Sequence, residues 1–132
     1  MAGPKSPIER GVSRELIVTA RIRSLNSTAG SGTAWAVVPS KGRLSRVQIA
    51  FDGDPSADWV ANIVTPRGTA TGVLTLAQFG GAAAIGDADS LEWSLDPMSD
   101  LFDLSRGDIV RVETTTASGA ATSGYVNFVL GG

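Results

Sequence analysis

The side chains in this sequence that could do acid–base chemistry are carboxylates, and six of them crowd one late stretch: Asp87, Asp89, Glu92, Asp96, Asp100 and Asp103. Glycoside hydrolysis uses a pair of carboxyl groups held roughly 5–10 Å apart. Nothing in the spacing of these six fixes such a separation, so the segment reads first as a solvated acidic loop. Histidine and cysteine are both absent. Their absence removes the commonest general base and triad partner, and with them the thiolate nucleophile, the disulfide framework and the thiolate metal site. The residues therefore assign no catalytic group, no metal ligand and no cofactor.

Binding chemistry has more candidates. Asp52-Gly53-Asp54 with Asp58 could collect oxygen ligands for Ca²⁺, but the stretch lacks the twelve-residue spacing and terminal Glu of an EF-hand loop; an Asx-type turn whose carboxylates cap backbone N–H groups is the plainer reading. Gly30-Ser31-Gly32 and Gly80-Gly81 match neither a P-loop nor a dinucleotide fingerprint, and neither opens a helix. Arg21 and Arg23 with Arg43 and Arg46 offer a basic patch. A pI near 4.9 and the lack of aromatics interleaved with these arginines speak against nucleic acid and for an acidic protein surface. Trp35, Trp59 and Trp93 have the planar faces that stack on sugars. Each lies on an alternating strand, however, where a place in the core or in an interface explains it equally well.

Those side chains must be positioned by strands. Arg14 to Arg23 alternates, with Leu16, Val18, Ala20 and Ile22 inward. Thr33 to Val38 follows, with Trp35 and Val37 on one face. In Arg43 to Phe51, Ser45, Val47, Ile49 and Phe51 face one way while Leu44, Arg46, Gln48 and Ala50 face the other. Trp59 to Thr65, Thr71 to Ala77, Leu91 to Leu95, Ile109 to Thr115 and Tyr125 to Leu130 complete eight short strands. Between them lie turn clusters such as Ser40-Lys41-Gly42 and Thr65-Pro66-Arg67-Gly68. Ser24 to Gly32 and Ala117 to Ser123 read as flexible polar loops, the first holding the glycosylation-like triplet Asn26-Ser27-Thr28 as a turn. Met98 to Ser105 is the one stretch with a helical turn in it. Eight strands without strand–helix alternation predict an all-β fold, an eight-stranded antiparallel jelly-roll sandwich, with a barrel as runner-up.

At 132 residues and a mean hydropathy of +0.12, one folded domain over 14–132 is expected. It would be preceded by an extended N-terminal arm, 1–13, containing Pro4 and Pro7. No apolar run is long enough to span a bilayer, so no membrane partner is expected. The start lacks the apolar core of a secretory signal, which points to synthesis in a cytoplasm. Charge is uneven: residues 1–46 hold eight basic and two acidic side chains, and residues 47–132 hold three basic and eleven acidic ones. Such asymmetry suits an oriented contact with a charged partner. The arm would contribute Lys5, Arg10 and Arg14 to it.

Several short patterns also bear on function. Val37-Val38-Pro39-Ser40-Lys41-Gly42-Arg43-Leu44-Ser45-Arg46-Val47, then Asp52-Gly53 and Ala57-Asp58, resembles a pattern found in tailed-bacteriophage virion proteins. Gly68 with Thr71-Gly72-Val73-Leu74-Thr75, and Arg106-Gly107-Asp108-Ile109-Val110, match later parts of it in order. The chain thus resembles a small jelly-roll capsid decoration, or cement, protein, similar in fold to head-fibre base domains. The resemblance covers Leu16 to Leu130 and departs at the acidic segment Leu91 to Asp103 and at the Pro-rich arm. It implies a non-enzymatic virion structural protein on the capsid exterior, self-associated as a homotrimer, with the major capsid protein as partner and no nucleic acid or membrane. The interface residues would be Lys5, Arg10, Arg14, Arg21, Arg23, Arg43 and Arg46. A carbohydrate-binding or host-adhesion β-sandwich module of a virion is the alternative, with Trp59 as its test position.

Overall fold

The computed structural model of the chain describes residues 15–53, 55–76 and 90–131. Lys5, Arg10 and the rest of the expected arm, with Arg14 beside it, lie outside the described residues, as do Asp54, Gly80-Gly81, Asp87 and Asp89. Nine strands form: β1 Leu16–Ile22, β2 Thr33–Val37, β3 Gly42–Phe51, β4 Trp59–Thr65, β5 Gly68–Leu76, β6 Ser90–Ser94, β7 Asp103–Leu104, β8 Ile109–Thr116 and β9 Gly124–Gly131. Eight coincide with the stretches expected from period-two patterning. The ninth, β7, is a two-residue bridge that pairs Leu104 with Gly42 and Asp103 with Arg43, too short to leave a periodic signal.

Every pairing is antiparallel. One sheet has the order β1-β9-β3-β6, with β7 attached to β3, and the other has the order β2-β8-β4-β5. With β7 set aside, the chain changes sheet at every connection but one, the β4–β5 hairpin. That is the connectivity of an eight-stranded jelly roll. The hairpin is tight because Thr65 pairs with Gly68, leaving Pro66 and Arg67 as a two-residue turn.

Between the sheets lies one core, built from Val47, Ile49 and Phe51 of β3, Trp59, Ala61 and Ile63 of β4, Leu74 and Leu76 of β5, Val110 and Val112 of β8, and Val126, Phe128 and Leu130 of β9. Trp59 is its largest member and is fully buried. Its indole N–H donates to Thr114 Oγ1 at 2.9 Å, and that hydroxyl donates to the Gly32 carbonyl at 2.8 Å. Burial of the ring is thereby achieved without stranding a polar atom. Trp93 packs tilted against it, with ring centroids 6.3 Å apart.

One orientation that the sequence left open is decided here, and one expected orientation is reversed. Trp35 and Val37 face outward, while Ala34, Ala36 and Val38 are the buried residues of that run. Alternation sets which residues share a face but not which face is inward, and here the core takes the small side chains. Leu44 is buried although its odd-even class points it outward. The register of β3 against β9 slips between Leu44 and Arg46, and such a bulge returns Leu44 to the core side. In β1 the expected parity holds but weakens along the strand: Ile22 is buried, Val18 and Ala20 are half-buried, and Leu16 is exposed, as suits an edge strand.

The two polar loops are fastened to each other rather than loose. Leu25 is fully buried; its N–H donates to Thr122 O and its carbonyl accepts from Ser118 N. The expected helical turn is a short 3-10 turn at Asp100–Phe102, where Ser99 Oγ accepts from Leu101 N.

Candidate interaction surface

The register of β2, β8 and β4 determines what stands on the outer face of their sheet. Trp35 pairs with Arg111 and Val37 with Ile109, and Arg111 pairs in turn with Val64. Because alternate residues share a face, Trp35, Val37, Ile109, Arg111 and Val64 form one outward patch. Trp35 is 59% exposed, Val37 49% and Ile109 48%, so this sheet presents apolar surface where a solvated face would carry polar side chains. Trp35, Val64, Thr65, Pro66, Ile109 and Arg111 line an open depression of about 500 Å³. Arg111 is held beside it by Glu113, 3.3 Å away.

On its other side Trp35 borders a second depression, of about 380 Å³, with Thr19, Arg21, Arg23 and Thr33. Arg21 also lies over the Tyr125 ring, 5.6 Å from its centroid. Aromatics therefore do stand among the arginines, against the sequence expectation. They were hidden because Tyr125 reaches β1 from the last strand and Trp35 is brought beside it only by the packing of β2.

The opposite sheet has a different outer face. Thr19 Oγ1 donates to Asn127 Oδ1, Asn127 Nδ2 to Gln48 Oε1, and Gln48 Nε2 to Glu92 Oε2, at 2.7, 3.3 and 3.2 Å. This ladder crosses four strands. Arg46 closes its end, with Nε 2.6 Å from Glu92 Oε2 and an Nη2 donating to Glu15 at 2.8 Å. Arg43 is used elsewhere. Its guanidinium pairs with Asp103 at 2.5 Å and donates to the carbonyls of Asp96 and Ser99 at 2.9 and 2.6 Å.

The predicted interface arginines therefore separate into two kinds. Arg21 and Arg23 are exposed together beside Trp35, while Arg43 and Arg46 are taken up by partners within the chain. Trp59, the test position of the saccharide alternative, is in the core; Trp35 is the exposed indole, and Trp93 is half-buried. In the expected Asx turn, Asp52 receives the hydroxyl of Ser123 at 3.1 Å. Among the described residues no group of three or more Asp and Glu side chains is placed to hold a metal ion. The residues that sequence reasoning missed are Ile109 and Met98. Met98, at the tip of the loop after β6, is 85% exposed.

No family model matches the chain, and no curated protein matches it. Among solved structures it is similar to a family two carbohydrate esterase from Cellvibrio japonicus, with 10% identity, a TM-score of 0.35, 89% of this chain covered and 34% of that one. The chain thus spans about a third of that protein's length, and a likeness at this TM-score decides nothing about activity.

Proposed function

We propose that this chain is a non-enzymatic virion structural protein that decorates and reinforces the exterior of a tailed-phage capsid, as a homotrimer bound to the major capsid protein. The observation that carries the reading is the exposed apolar face of Trp35, Val37 and Ile109. Contiguous apolar surface rimmed by charge marks protein–protein contact. Tryptophan and arginine are also the residue types enriched where binding energy concentrates. The jelly-roll connectivity and the resemblance of Val37 to Asp58 to virion proteins support the same reading. Capsid contact would fall to Lys5, Arg10 and Arg14 of the arm with Arg21 and Arg23, meeting acidic capsid groups. The test is to add purified chain to capsids that lack it and measure co-sedimentation. The reading expects saturation at a fixed ratio to capsid subunits, weakened by deleting residues 1–13. Unsaturable or absent binding would refute it.

One observation favours a second reading, saccharide binding on the virion: an exposed indole between two depressions is a stacking platform. It predicts specific glycan-array binding that Trp35→Ala abolishes and Trp59 substitutions affect only through folding.

A further inference from the structure

The loop between β6 and β7 carries an exposed apolar tip flanked by acidic side chains, the opposite of the Trp35 face. Pro97 and Met98 form its tip, and Met98 at 85% exposure is the most exposed large apolar side chain among the described residues. Asp96 and Asp100 flank the tip and are exposed. The loop is held in one shape from beneath. Arg43 donates to the carbonyls of Asp96 and Ser99 and pairs with Asp103. Asp96 Oδ1 accepts from Met98 N at 2.9 Å, and Thr65 Oγ1 donates to Leu101 O at 2.8 Å. An exposed thioether on a braced loop loses little freedom when it docks.

The Trp35 face has the opposite character. It is concave and apolar, about 500 Å³, with Arg111 in its wall. Arg21 and Arg23 lie just past Trp35. Around Trp35, three arginines stand against one carboxylate, Glu113; around the Met98 loop, Asp96, Asp100 and Asp103 stand against Arg43, drawn beneath them, and Arg67, which donates to the Asp103 carbonyl, so the loop keeps an excess of negative charge. We propose that the Met98 loop of one copy seats in the Trp35 depression of a second copy, with Asp96 and Asp100 facing the arginines. Methionine conforms to irregular apolar hollows, and the charges fix the direction of docking. Knob and hollow are different surfaces that adjoin at Thr65, which lines the depression and holds the Leu101 carbonyl; a head-to-tail contact between them closes into a ring when the rotation allows. The inference deepens the self-association part of the proposed function and rests on it.

The experiment is light scattering and sedimentation velocity on the full chain, as wild type, Met98→Glu and Trp35→Ala. Both substitutions are at exposed side chains, and thermal melts within a few degrees of wild type confirm folding. Wild type is expected to be oligomeric, and each variant to associate at least tenfold more weakly. A 1:1 mixture of the variants has one intact knob and one intact hollow on different copies, so it should form a dimer that grows no further. Raising salt should weaken wild-type association, since exposed charges are screened beyond about 8 Å at 0.15 M. Oligomers that survive both substitutions would overturn the inference and leave the trimer reading standing through another face. A wild-type monomer at all concentrations would overturn both, and the capsid binding assay would still judge decoration separately.

Discussion

At the scale of single residues, the three tryptophans do three different jobs that composition does not separate. Trp59 is core, and its N–H is satisfied only through Thr114. Thr114→Val keeps the shape but strands that N–H and the Gly32 carbonyl, so we expect a loss of about 1–3 kcal/mol in chemical denaturation. Trp35→Ala should leave stability within about 0.5 kcal/mol, because exposed substitutions away from special contacts do so, while weakening the proposed self-association. Gly32 is a residue whose need is steric: a Cβ there would lie 1.8 Å from the Ser27 carbonyl oxygen. Gly32→Ala should therefore cost more than the ~1–3 kcal/mol usual for overpacking, read as a lowered melting temperature. Arg43 shows how a site residue can be legible and its role not. Its charge was visible in the sequence, but its three partners at Asp96, Ser99 and Asp103 lie more than fifty positions away.

At the scale of elements, nearly all the strands were legible because period-two alternation is strong in Val47-Ile49-Phe51, Trp59-Ala61-Ile63 and Val126-Phe128-Leu130, and turn residues bound them. What was not legible was the phase of β2. TAWAV alternates equally well with its alanines inside or its indole inside, so Trp35 was left open between core and interface. That open choice hid the apolar face, since Ile109 could not be placed beside Trp35 and Val37 without the β2–β8 register. Leu44 was misplaced for a second reason, a bulge, which no alternation pattern records. The loop after β6 is the element on which the proposed self-association turns. Arg43→Met should remove the donors that hold Asp96 and Ser99 while keeping much of the aliphatic packing. The expected outcome is faster amide exchange around Met98 and weaker association, with a global stability change of about 1 kcal/mol. Unchanged exchange would mean that the loop is braced by Asp96 and Thr65 alone.

At the scale of the whole molecule, the sandwich separates two kinds of surface. The β1-β9-β3-β6 sheet wears a continuous ladder from Thr19 to Glu92, closed by Arg46, while the β2-β8-β4-β5 sheet wears Trp35, Val37 and Ile109. Side chains bonded to one another across four strands have less capacity left for a partner; exposed apolar ones gain by being covered. The uneven charge of the sequence survives folding in part, as arginines beside Trp35 and carboxylates beside Met98. These two surfaces are what the proposed assembly, a decorated capsid, would use. The most direct measurement is quantitative mass spectrometry of purified, intact virions, giving copies of this chain per capsid subunit. The account predicts a fixed integer-related ratio, with hundreds of copies on a typical shell. Its absence from purified particles, or a few copies per particle, would contradict it.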